Sequence, residues 1–307
     1  MKNRIIMLAV IIALVFTVPM GYKALFGGLG KSFAVDSITL TLTESDQKVT
    51  LTPEEYIAGC LYAQIPLDYH IEALKAQAAA AYTYALRLIK DGQELTDSGE
   101  SCQPYFTAEK AKEYYGDDYE KYAEKVAEAA SYGASHVILY DNQPIYSLYH
   151  SVSAGNTQSA QSVWGVDFPY LQPVESPWDK SYGNFYTENQ FTTEMMRVKF
   201  LHYDRSITMP VDYSLWFQDA QTDESGYVIS MQAGNRALSG GDLWRIMGIR
   251  STAFEISYNG MAFTVSTKGY GHGVGLSQYG ADQKAQCGDS AEDILTYYYT
   301  GVQVAQV

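Results

Sequence analysis

Between residues 35 and 90 the polar and apolar positions change period. Val35 to Leu51 alternates the two about Glu44-Ser45-Asp46-Gln47, the pattern of a β-hairpin. Thr52-Pro53-Glu54-Glu55 then reads as a helix start. Thr52 caps, Pro53 fits a first turn that needs no N–H, and Glu55 reaches back to the cap. Ile57, Cys60 and Leu61 follow at helical spacing, and Pro66 forces the helix to end before it. A second helix is predicted from about Asp68 to Lys90. Its Ala73, Ala76, Ala78 to Ala81 and Ala85 make a face that another backbone can approach closely. Asp91 to Gln103 reads as a loop, and Ala108 to Ser131 as two short helices broken at Gly116-Asp117.

From His136 the period falls to two. HVILYDNQPIYSLYH gives two strands around Asp141-Asn142, and Thr208 to Ser266 offers further short strands with a helix near Ser239 to Met247. AEDILTYYYTG closes the chain with a short helix stopped at Gly301. The expectation is an α+β fold: a single mixed body over residues 35–307, two long amino-terminal helices packed on short antiparallel strands. A lobe inserted among the later strands is allowed.

The first residues differ in kind. Lys2 and Arg4 precede an uncharged stretch, Ile5 to Tyr22, long enough as a helix to span a bilayer core of about 30 Å. Residues 1–24 are therefore expected to be a transmembrane anchor and 25–34 a linker. The flanking cations keep the amino terminus cytoplasmic, so the main domain would be extracytoplasmic in a single-pass protein of the cell membrane. Secretion after cleavage near Ser32-Phe33-Ala34 is the rival reading.

Composition narrows the partners. Twenty-one basic against thirty-five acidic side chains leave a net charge of −14, which repels phosphate backbones and argues against nucleic acid. The 47% hydrophobic fraction is enough for a substantial core. Twenty-seven Tyr outnumber eleven Phe and four Trp, and a ring with a hydroxyl at its edge suits wet grooves and sugar rings as well as cores. Cys60, Cys102 and Cys287 are odd in number and far apart, and they form neither a CxxC pair nor a zinc spacing.

Three segments carry candidate chemistry. Gln64 continues the apolar stripe of Ile57, Cys60 and Leu61 at the end of the first helix, either as a hydrogen-bonded core amide or as a residue facing a groove. Tyr149 to Gly165, YHSVSAGNTQSAQSVWG, runs from a strand into a loop rich in hydroxyls and amides. It suits a hydroxyl-rich ligand, or it is an ordinary turn-rich loop. The adjacent His150 and Ser151 are a weak nucleophile signal, because a triad is defined by geometry. Lys268 to Ala281, KGYGHGVGLSQYGA, has Gly at 269, 271, 273 and 275. Without Gly-Lys-Ser/Thr it is a poor phosphate loop, and alternate glycines let a ligand or another backbone come close. His272 stands among them, where an unperturbed imidazole would titrate near about 6.5.

Together with PEEYIAGCLYAQIPLDYHIEALKAQAAAAYTYAL and ILTYYYTGV, these segments resemble, in order, the stage II sporulation protein D family, whose domain is shared with the amidase enhancer of bacterial cell walls. The resemblance covers nearly all of the chain beyond residue 34. It implies membrane-tethered proteins outside the cytoplasmic membrane of endospore formers. Such proteins cleave peptidoglycan glycan strands as lytic transglycosylases, and they work with stage II sporulation proteins P and M. It also implies a glycan-binding set of Gln77, Tyr82, His150, Ser151, Ser153, Thr157, Gln158, Tyr270, His272, Ser277 and Gln278. No cofactor is implied. Some relatives hold zinc with Cys and His near the loop after the His150 position, but Val152 and Ala154 offer no thiolate there.

The departures from that pattern concern charge. Lytic transglycosylases protonate the glycosidic oxygen and then deprotonate the 6-hydroxyl, and one carboxyl can do both. The family's carboxyl belongs to a Glu-Met-Pro stretch, here Gln64-Ile65-Pro66. The family's Arg in its Ala-Arg-Thr-Tyr stretch is here Tyr82, and the Glu after its Thr is Gln158 following Thr157. Three neutral replacements lead to the expectation of a glycan-binding relative with weakened or lost cleavage, a scaffold or enhancer for a partner hydrolase. The alternatives are a lytic enzyme using another carboxylate such as Glu72, and a purely structural component of the engulfment complex.

Overall fold

The computed structural model describes residues 33–99 and 102–307. Contacts gather them into two compact units: the described residues up to Tyr146 together with Val302–Val307, and Ser147–Gly301.

In the first unit the expected hairpin is β1 (Ile38–Leu42) and β2 (Gln47–Leu51), antiparallel, with Ile38 opposite Leu51. Helix α1 (Pro53–Gln64) opens with the full capping box: Glu55 N–H donates to Thr52 Oγ1 at 3.2 Å, and Thr52 N–H donates to Glu55 Oε2 at 2.8 Å. Helix α2 (Ile71–Lys90) follows, then a two-residue strand β3 (Leu95–Thr96) parallel to β1 within the expected loop. Helices α3 (Ala108–Tyr115) and α4 (Asp118–Ala134) flank the Gly116-Asp117 break, α4 running longer than the sequence pattern indicated.

The small face of α2 does what its alanines allow. A Cβ on Gly133 of α4 would lie 2.7 Å from the backbone of Ala78, so these two helices touch at backbone distance. Asp141 and Asn142 take positive φ between β4 (His136–Tyr140) and the short β5 (Gln143–Pro144), a turn that Asp and Asn tolerate better than most residues. The carboxyl-terminal strand Gln303–Gln306 returns to pair antiparallel with β4. Tyr56, Ile57, Leu61, Leu74 and Tyr82 anchor the core of this unit.

The second unit begins with β6 (Tyr149–His150) and helix α5 (Ala160–Trp164). Strand β7 (Tyr186–Thr192), helix α6 (Thr193–Tyr203), the sheet of β8 (Phe217–Thr222), β9 (Val228–Ala233) and β10 (Arg236–Ser239), and helix α7 (Gly240–Met247) come next. Strands β11 (Phe254–Tyr258) and β12 (Ala262–Lys268) complete a sheet with β7. Phe191, Phe200, Trp216, Leu243 and Phe263 fill the core here. The two-residue β13 (Leu276–Ser277) runs parallel to β6, with Ser277 opposite His150, and helices α8 (Gln278–Gln286) and α9 (Ala291–Tyr298) end the unit.

The mixed α+β expectation holds, but the membrane expectation needs correction. No helix among the described residues is long and apolar enough to cross a membrane, so a single-pass membrane location is not supported. The anchor and most of the linker read from residues 1–32 lie outside the described residues. The three cysteines are free.

Candidate functional site

In the first unit Gln64 is half-buried in the last turn of α1, and its Nε2–H donates to the Pro104 carbonyl at 2.8 Å. An amide can make that bond and an ionised carboxylate cannot. Gln77 is buried in α2. Tyr82, where the family resemblance puts an Arg, is 1% exposed, and its hydroxyl accepts from Val35 N–H at 3.4 Å. The side chain therefore belongs to the core rather than to a charged surface. Glu72, the alternative acid, is ion-paired with Lys75 at 3.0 Å, and Lys75 also meets Glu128 at 2.9 Å. That is a charge-paired setting, not the apolar one that keeps a carboxyl protonated.

The second unit brings the two loop motifs together. Val274 is the hinge of the arrangement, because its carbonyl accepts from His150 Nδ1–H at 3.2 Å while its N–H donates to His272 Nδ1 at 3.1 Å. The two neutral imidazoles are thereby held in opposite tautomers. His150 carries its proton on Nδ1 and His272, whose Nδ1 accepts, on Nε2; the His272 ring also hydrogen-bonds the backbone of Tyr149. The rings lie 5.7 Å apart.

Burial pushes the His150 imidazole down to about 3, helped by the neighbouring His272, against the pull of the Val274 carbonyl. Burial likewise takes His272 down to about 4. The expectation of an unperturbed His272 is corrected: both rings are neutral at physiological pH. His150 Nε2 remains a buried acceptor without a hydrogen-bond partner among the described residues.

The alternate glycines have a local explanation. Gly269, Gly271, Gly273 and Gly275 all take positive φ. A Cβ at Gly271 would stand 2.9 Å from His150 Cβ, and one at Gly275 would stand 2.1 Å from the Leu148 carbonyl. The close approach is thus made by the chain's own β6 segment. Gln158 stitches the same loop: its N–H donates to Gly273 O at 2.8 Å and its Nε2–H to His272 O at 2.7 Å. Thr157 exchanges two 2.8 Å bonds with Val174, through its N–H and its Oγ1. Ser151 accepts from Tyr279 N–H at 3.0 Å through its carbonyl. Tyr270 bridges Val152 and is 46% exposed, with the Arg250 guanidinium 4.3 Å from its ring centre. Ser153, Ser277 and Gln278 are buried.

Three residues escaped the sequence reading. Trp164, 48% exposed, lies 5.3 Å from the His272 ring and offers an aromatic face beside that imidazole. Tyr227, 1% exposed, accepts from Ala154 N–H at 2.8 Å and donates to Asn156 O at 3.0 Å. Asp179 is fully buried beneath Ser153 and Ser277. Trp164 lay within a quoted motif, whereas neither periodicity nor spacing marks Tyr227 or Asp179. Among the described residues no three His, Cys, Asp or Glu side chains converge as a metal site requires.

A family model described as stage II sporulation protein matches residues 43–140, the stretch that carries Gln64, Gln77 and Tyr82. The stage II sporulation protein D of Bacillus subtilis (strain 168) is 32% identical over 278 residues, 88% of this chain and 79% of the relative. That of Bacillus amyloliquefaciens is 31% identical over 286 residues, with the same coverage of both chains. The amidase enhancer of Bacillus subtilis is 26% identical over 302 residues, but this chain spans only 39% of it. The similarity to both sporulation proteins spans 88% of the chain, and this chain belongs to the stage II sporulation protein D family.

Proposed function

We propose that this chain serves the bacterial cell wall in sporulation by binding peptidoglycan glycan strands, with the lytic transglycosylase chemistry weakened or lost. The observation that carries the reading is Gln64, whose amide donates to the Pro104 carbonyl where the family resemblance puts a carboxyl. A transglycosylase must deliver a proton to the glycosidic oxygen and then take one from the 6-hydroxyl. A carboxamide does neither near neutral pH. Losing one proton-transfer group costs on the order of 10²- to 10⁴-fold, and more where a single group serves both steps.

Glycan recognition is supported from the second unit by the half-exposed Trp164, 5.3 Å from the neutral His272 ring, and by the half-exposed Tyr270, since aromatic faces and uncharged polar edges match sugar rings and their hydroxyls. The names of the relatives, a stage II sporulation protein D and an amidase enhancer, support a sporulation setting and an amidase as partner, and the family resemblance adds stage II sporulation proteins P and M.

The test incubates purified protein with isolated glycan strands and with intact cell wall. Co-sedimentation with the wall and no 1,6-anhydro-ended muropeptides by mass spectrometry is the expected result. Anhydro products formed as fast as by lytic members of the family would overturn the loss of catalysis, and failure to sediment would overturn glycan binding.

A further inference from the structure

Asp179, in the 3-10 turn Pro177–Ser181, is the one carboxylate among the described residues with no solvent exposure. Its Oδ2 accepts from Ser153 N–H at 2.8 Å and its Oδ1 from the Ser277 hydroxyl at 3.0 Å. The hydroxyls of Ser153 and Ser176 also hydrogen-bond to it. All three serines are fully buried. Burial pushes the carboxyl up and these donors pull it back down. Ser176 Oγ lies 2.8 Å from Tyr298 OH. A Cβ at Gly280 would fall 2.0 Å from that hydroxyl and 3.1 Å from Asp179 Oδ1, so only glycine fits against the cluster.

Burying a carboxyl costs stability unless it is hydrogen-bonded, and this one is met by donors from three separate segments. The segments it joins are informative. Ser153 lies three residues beyond His150, and Ser277 lies opposite His150 in the β6–β13 pair. Ser277 is also three residues beyond Val274, whose backbone holds both imidazoles. The carboxylate thus ties the two strand ends immediately after the point where the histidines are fixed.

We infer that Asp179 is a positioning residue: through Ser153 and Ser277 it holds β6 and the glycine-alternating loop in the register that lets Val274 fix His150 and His272 in opposite tautomers. This inference stands on the geometry of one unit and does not depend on the ligand.

The test uses the full chain with 15N-labelled histidine and long-range 1H–15N spectra at pH 7. His150→Gln and His272→Gln assign the signals. The wild type is expected to show His150 protonated on Nδ1 and His272 on Nε2. In Asp179→Leu both rings should lose this sharp split between protonated and unprotonated nitrogens, while His70 and His136 of the other unit stay unchanged. Asp179→Asn keeps one acceptor oxygen and should show the same loss in smaller degree. Val265→Ala, a core truncation in β12, is the control, lowering the melting temperature without moving either ring. If Asp179→Leu does not fold, Asp179→Asn decides. Unchanged His150 and His272 signals in a folded Asp179 variant whose melting temperature falls as the control's does would overturn the inference and leave Asp179 a packing residue. Loss of glycan binding is read separately by sedimentation, so failure of the proposed function would leave this result standing.

Discussion

Gln64 in the first unit and Gln158 in the second each aim an amide N–H at a backbone carbonyl, Pro104 and His272 respectively. Both stand where the family resemblance puts a Glu. Their surroundings differ. Gln64 is half-buried at a helix end, where an acid side chain can swing to water. Gln158 is 3% exposed and makes two bonds to one loop, so nothing can swing. The same chemical change is therefore a change of reactivity in one unit and a change of architecture in the other.

The largest effect expected from this contrast is at Gln158. Gln158→Glu would set a carboxylate against the His272 carbonyl in a dry site, costing about 3–5 kcal/mol. All four Trp lie in the second unit, so denaturant unfolding followed by Trp fluorescence reads that unit alone. A variant as stable as wild type at pH 7 would remove the architectural role assigned to the amide.

Next in size is the acid response of the same unit. The folded pKa values of His150 and His272, about 3 and about 4, lie below the ordinary value of about 6.5, so the unfolded chain binds more protons between those limits. Stability is then complete above about pH 6.5 and falls as the pH drops toward 4 and 3. For one such group the loss from pH 7 to pH 5 is about 2 kcal/mol. His150→Gln should flatten part of this slope in fluorescence-monitored melts. A flat wild-type profile from pH 7 to pH 5 would show that the rings are not held neutral.

The smallest stability effect is expected at Gln64. Gln64→Glu should cost under about 1 kcal/mol, from one surface hydrogen bond and an acid at a helix carboxyl end. Its interest is catalytic. A carboxyl beside the Pro104 carbonyl bonds there only when protonated, which is what a proton donor needs. Anhydro-ended products should become detectable by mass spectrometry but remain far below family rates, because Tyr82 and Gln158 also depart from the pattern. Cleavage at family rates after this one substitution would show that Tyr82 and Gln158 do not limit it.

Local chemistry was legible residue by residue. The Thr52–Glu55 capping box, the Asp141-Asn142 turn and the alanine face of α2 follow from interactions between near neighbours in the chain, and each was read correctly. The family was legible as well, because its motifs are contiguous. The state of the two histidines was not. His272 looked like an ordinary titrating imidazole, and only the folded chain shows Val274 holding it beside His150, which lies 124 residues from Val274.

The sequence by itself determined where the helices start, which positions line their apolar faces, and that an amide, Gln64, ends the first helix ahead of Pro66. The tertiary structure alone decided that Gln64 bonds Pro104, that the alternate glycines make room for the chain's own β6 segment, and that Asp179 sits in a cradle of serines from three separate segments. The reason is range: helical periodicity, turns and caps are fixed by contacts a few residues apart. Burial, tautomer and the company of a charge are set by segments that meet only once the chain has folded.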